Sequence, residues 1–165
     1  MTQLYAQPYN IDATGFFFSS EDEFQERSNA NRDRFGQIVE EYEIQFIDGE
    51  PIDAELAKAF GLSQCNFGEF LERSENWNDD QKTRFVIAVA ECGYDASIDS
   101  DEVEIDIYEL DSLTELAEQF IEDGLFGDIP EQLRFYLDLD AIARDLSMDY
   151  AEATIAGRRI IYRCG

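Results

Sequence analysis

The 165-residue sequence contains no histidine, and its only lysines are Lys58 and Lys82. The first absence excludes Ser–His–Asp triads, imidazole acid–base chemistry and every histidine-ligated metal site. Cysteine is scarce: Cys65, Cys92 and Cys164 lie far apart and form no CxxC or CxxH pair, so zinc is not indicated. No Walker loop or GxGxxG pattern is present to cradle a phosphate. Long hydrophobic runs are missing too. The most apolar stretch, residues 85–90, is far short of the ~20 residues of a membrane-spanning helix. The N-terminus has neither a basic nor an apolar leader region. A cytoplasmic protein that does not engage a membrane is the expectation.

Positive charge is the deepest deficit. Asp and Glu number 38 against 12 Lys and Arg, a formal net charge of −26. Self-repulsion at that level opposes compaction and makes nucleic acid an improbable partner. Basic surfaces are the natural partners. Residues 85–133 contain 15 acids and no Lys or Arg. The basic residues collect elsewhere, at Arg27, Arg32 and Arg34 and again at Arg158, Arg159 and Arg163. A halophilic surface would spread its acids evenly, whereas these run in blocks.

The acidic block nevertheless reads as folded. Leu113, Leu116, Ala117, Phe120 and Ile121 recur at the spacing of one helix face, with Glu115, Glu118 and Glu122 on the others. Before them, Val103, Ile105 and Ile107 alternate with Glu102, Glu104 and Asp106, as in a half-buried strand over 102–110. On such a strand the three carboxylates would recur every ~6.8 Å along one face, a phosphate-like row. Duplex DNA carries one charge per ~1.7 Å of axis, so 26 charges would match about 44 Å of duplex, roughly 13 base pairs. A disordered acidic tail would lack the apolar periodicity. With 38 carboxylates in the chain, a chance pair at glycosidase spacing means nothing. Asp99-Ser100-Asp101 opens like a calcium loop, but Glu104 and Leu110 stand where glycine and glutamate are required. No metal, cofactor or catalytic residue is expected.

Strands are predicted around 4–6, 15–18 and 39–47. Helices are predicted from the Ser20–Glu23 capping box to about residue 34, over 52–60 ending at Gly61, and in two pieces between 67 and 91. After the acidic strand come a helix from Ser112 to Gly124 and a short one opened by Pro130. Another follows with Leu139, Ile142, Ala143 and Leu146 inward, and then a hairpin turning at Gly157. The fold class is α+β, with strands at both ends and a helical middle. The predicted division is 1–61, 62–101 and 102–165.

Residues 112–124, 129–133 and 136–146 together resemble the C-terminal part of the ArdA antirestriction proteins, and residues 41–48 resemble a strand of that family's first domain. The resemblance implies three small α/β-type domains in an elongated row, dimerising through the last. It implies a non-enzymatic mimic of bent B-DNA, encoded on mobile genetic elements. Its target would be the basic DNA groove in the methyltransferase core of type I restriction–modification enzymes. Tyr136, Leu137, Asp138, Leu139, Asp140, Ala141, Ile142, Ala143, Arg144, Asp145 and Leu146 match the family's antirestriction motif, which is tied to the dimer contact. Leu137 and Leu139 stand where bulky apolar or aromatic residues are usual. The acids expected to meet the partner are Glu41, Glu43, Glu102, Glu104, Asp106, Glu109, Asp111, Glu115, Glu118 and Glu122. The alternative is an acidic module that sequesters another basic DNA-binding protein.

Overall fold

Leu4 and Ala6, alternating with Gln3, Tyr5 and Gln7, give the first strand one apolar face. The computed structural model, which describes residues 1–165, forms β1 there (Gln3–Pro8) and pairs it antiparallel with β2 (Phe16–Phe18). Helix α1 (Glu21–Ala30) starts where expected: Ser20 Oγ accepts from Glu23 N at 3.2 Å, and Glu23 Oε2 accepts from Ser19 N at 2.7 Å. It stops at residue 30 rather than about 34 because the following residues fold on themselves. Arg32 Nη1 donates to the carbonyls of Asn29 and Asn31. Buried Asp33 accepts from Phe35 N, Gln37 N and the Asn10 amide, and draws residues 33–37 into a turn.

Strand β3 (Tyr42–Asp48) lies on the far side of β1, giving the order β2-β1-β3. Its inward residues, Tyr42 and Ile44, are buried as the alternation requires. Helix α2 (Pro51–Phe60) begins with the proline at its first position and ends at Gly61, whose φ of +59° is a left-handed cap. Helix α3 (Phe67–Asn76) follows, and α4 (Asp79–Ala90) opens with a complete Asn78–Gln81 capping box. Phe18, Phe24 and Phe67 pack in tilted and edge contacts with centroids 4.7–5.2 Å apart. Phe60 stacks on Phe85 at 5.1 Å. Arg73 lies over Phe60, Trp77 and Phe85, donates to the Ile98 carbonyl and pairs with Glu69. Asp53 of α2 and Lys82 of α4, both buried, meet at 2.6 Å. These elements form one compact unit, Met1–Asp101.

The second unit is Glu102–Gly165. Its first strand, β4 (Ile105–Tyr108), is shorter than the sequence pattern suggests. Ser100–Glu102 is a 3-10 turn with Ser100 fully buried. Helix α5 (Leu113–Glu122) is capped by Ser112, and α6 (Glu131–Arg134) is a single turn after Pro130. Helix α7 (Leu139–Leu146) is capped by Asp138, whose Oδ1 accepts from Ala141 N at 3.0 Å. Strands β5 (Ala151–Ile155) and β6 (Arg158–Cys164) form the hairpin, and β6 is central in the order β4-β6-β5. The turn is two residues, Ala156 and Gly157, both at positive φ, the geometry that matches strand twist. Leu116, Phe120, Tyr150 and Ile161 make the core, with Tyr108, Leu110, Leu113 and Leu146 packed around them. The whole is a mixed α+β fold of seven helices and six strands in two antiparallel sheets. No helix is long and apolar enough to cross a membrane.

Candidate acidic partner interface

The acids singled out in the sequence divide by what the fold does with them. In the second unit, Glu118 and Glu122 lie on the exposed side of α5, opposite buried Leu116, Ala117, Phe120 and Ile121. Neither carboxylate has a protein partner. Glu115 is exposed as well, but its Oε2 accepts from Asp111 N at 2.9 Å, so it also orders the entry to the helix. The Asp111 carboxylate is exposed, while the Asp111 carbonyl accepts from Arg159 at 3.2 Å.

The supposed row Glu102, Glu104 and Asp106 does not form along one strand. Glu102 belongs to the 3-10 turn and Glu104 precedes β4, so only Asp106 lies on the strand. Glu102 and Glu104 are exposed and unpaired by any basic group. Asp106 pairs with Arg163 at 2.5 Å, and Glu109 with Arg158 at 2.8 Å. Asp106, together with Tyr150, Asp149 and other neighbours, raises the Arg163 pKa. The largest cause is the hydrogen bond to Asp106. Burial, with smaller contributions from Tyr150 and Asp106, pushes the Tyr108 hydroxyl above its ordinary range.

Residues 85–133 hold no basic residue of their own, yet Asp106 and Glu109 are paired with arginines from outside the block. Their partners lie about fifty residues away in sequence and reach them through the β4–β6 pairing. The three C-terminal arginines carried the clue, since an Arg-rich strand beside an acidic one is a natural cross-strand match. What concealed it was strand order, which charge spacing does not encode.

In the first unit, Glu41 just before β3 and Glu43 near its start are both exposed. Glu43 accepts a hydrogen bond from the Gln45 side chain at 3.2 Å, whereas Glu41 is unengaged.

Residues 136–146 have two aspects. Ala143 is buried and Leu146 packs on the core, while Leu137, Leu139, Ala141 and Ile142 are half-buried. Asp138, Asp140, Arg144 and Asp145 are exposed, and Tyr136 is almost fully so. The exposed apolar side chains nearby, Leu125, Phe126, Leu133 and Phe135, fall in the preceding segment. No group of three or more Cys, Asp or Glu is arranged to hold a metal ion.

The family model for "Antirestriction protein (ArdA)" matches residues 17–158. The chain belongs to the ArdA antirestriction family. The match runs from within β2 to the first residue of β6, and so spans all seven helices and the strands β3, β4 and β5. ArdA proteins are non-enzymatic and act against restriction–modification enzymes, so the partner is of that kind. No match was found among curated proteins.

Proposed function

We propose that this ArdA protein is a DNA mimic that occupies the DNA-binding groove of a type I restriction–modification methyltransferase core and keeps DNA out. The observation that carries the reading is the set of exposed, unengaged carboxylates on or directly beside ordered elements: Glu118 and Glu122 on α5, Glu102 in the 3-10 turn, Glu104 just before β4 and Asp111 just before α5, with Glu41 just before β3 in the other unit. They belong to a chain of net charge −26. Ordered charge needs no rearrangement to meet basic side chains that otherwise hold phosphates, and a field of this sign accelerates encounter with them. Asp106, Glu109, Glu115 and Glu43 contribute to the field, each with part of its capacity committed within the chain.

On this reading the protein works in the cytoplasm, where incoming mobile DNA meets the restriction enzyme. The chain divides into the segments 1–61, 62–101 and 102–165, the first two of which pack together in one compact unit. A homodimer forms through the last, by way of residues 136–146 and the exposed Leu133, Phe135 and Tyr136. Apolar side chains as open as Phe135 (92%) and Tyr136 (85%) favour such a contact.

Titration against a purified methyltransferase core carrying labelled DNA, at low and moderate salt, tests the proposal. Stoichiometric DNA release that weakens with salt is expected. Absence of release would refute the type I target and direct attention to a different basic DNA-binding protein.

A further inference from the structure

The first sheet has two edges of unequal character. One is β2, only three residues long, and short edges recruit few partners. The other is β3, seven residues long, with no strand beyond it. Tyr9 N, just past β1, donates to Glu41 O, just before β3, so by alternation Glu43 and Gln45 are the residues of β3 whose main chain bonds to β1. By alternation, the main-chain N–H and C=O groups of Tyr42, Ile44 and Phe46 point away from β1.

The first rung of that outer edge is already filled by a side chain. Gln64 Oε1 accepts from Tyr42 N at 2.8 Å, and Gln64 Nε2 donates to Glu40 O at 3.0 Å. The primary amide thus stands where a peptide group of a neighbouring strand would stand. The next rungs, at Ile44 and Phe46, have no such substitute. Beside them runs an open groove of about 350 Å³, lined by Ile44, Phe46, Ala54, Ala57, Lys58 and Leu62. The alanines at positions 54 and 57 of α2 leave room beside the strand for incoming side chains. On the solvent side, Glu41, Glu43 and Asp48 are exposed along the same strand.

We propose that the β3 edge is a docking site for an extended segment of a partner protein, which adds as a fourth strand with alternate residues apolar and basic. The apolar residues enter the groove over Ala54 and Ala57. The basic residues lie beside Glu43 and its neighbours, where opposite charges on adjacent strands attract. Main-chain pairing supplies affinity and the alternating pockets supply selectivity. A second copy of this chain fits less well, because it would bring the same acidic rim against this one. The site goes beyond the DNA-mimic reading and does not depend on it.

The test uses the full-length protein, isotopically labelled, and a synthetic peptide of about eight residues alternating valine and arginine. NMR titration is expected to shift the amides of Ile44 and Phe46 and to protect them from exchange. The same peptide N-methylated at alternate positions, which cannot pair, is expected to bind roughly tenfold more weakly or worse. Ala54→Gln, at an exposed position, is expected to narrow the groove and weaken the unmodified peptide without changing the circular dichroism spectrum. Equal binding of the methylated peptide, equal binding of oligo-arginine, shifts mapping away from β3, or no binding would each overturn the proposal. So would concentration-dependent protection of Ile44 and Phe46 without peptide, which would assign the edge to self-association.

Discussion

Asp106 of β4 stands directly opposite Arg163 of β6, and their side chains meet at 2.5 Å. Both are partly exposed, so the pair adds little to stability, but it takes one carboxylate out of the free set. Asp106→Asn is accordingly expected to change inhibition of a type I enzyme by no more than about twofold. Replacing Glu102, Glu104, Glu118 and Glu122 together by Gln is expected to weaken it by roughly a hundredfold or more, because the attraction is collective. Competition titrations of the two variants make the comparison. Abolition by Asp106→Asn alone would indicate a discrete site instead of an array.

Salt supplies an independent check. A competitor held by charge is expected to lose affinity steeply between low and moderate ionic strength, as the Debye length falls to about 8 Å at 0.15 M. Equilibrium binding at several salt concentrations measures the slope. A flat profile would contradict an electrostatic mechanism.

The Asp53–Lys82 pair is a different kind of contact, since both side chains are over nine-tenths buried. Thr2 Oγ1 also lies within 3.4 Å of Asp53. Lys82→Met leaves a buried carboxylate without its cation and is expected to cost about 3–5 kcal/mol. The double replacement Asp53→Leu with Lys82→Met is expected to recover most of that loss. Denaturant unfolding of the single and double variants measures both.

Asp33 gives the first unit a specific acid sensitivity. The hydrogen bond from Gln37 N is the largest cause holding its carboxyl below the ordinary aspartate range. Bonds from Phe35 N and Asn10, and the nearby Arg34, act in the same direction, partly opposed by burial. A lowered folded value means that the stabilising contribution is complete above the ordinary aspartate range. It is lost as pH falls through the folded value. The Phe35 and Gln37 amide resonances are expected to titrate at a pH below about 3.9, the ordinary aspartate value. Asp33→Asn is expected to abolish that transition.

The dimer reading predicts that Phe135→Glu or Tyr136→Glu yields a monomer by sedimentation equilibrium while the β4-β6-β5 sheet remains intact by circular dichroism. A dimer that survives both changes would place the contact elsewhere.

Local signals carried much of the fold. The Ser20, Asn78 and Ser112 caps, the Gly61 stop and the Gly157 turn all lie where residue chemistry places them. Each depends on neighbours within four residues. The α5 face was legible for the same reason, and so were Glu118 and Glu122 as exposed acids. Less legible were features decided at long range. Arg32 and Asp33 end α1 early through contacts that helical periodicity does not contain. The alternation across 102–110 is genuine as burial at Val103 and Ile105, but residues 100–102 wind into a 3-10 turn and the regular pairing with β6 begins only at Ile105, which alternation alone does not encode. The pairing of Arg158 and Arg163 with acids of the base-free block depends on β6 lying beside β4.

Lys82 is sealed against Asp53, and that leaves Lys58 as the one side-chain amine open to solvent. Acylating reagents, amine-directed cross-linkers and lysine-modifying enzymes would meet a single target on this chain besides the α-amino group of Met1. A probe or tether coupled at neutral pH would have a defined address without any mutation. Because Lys58 lines the groove beside β3, a fluorophore attached there would sit where an added strand is expected to arrive.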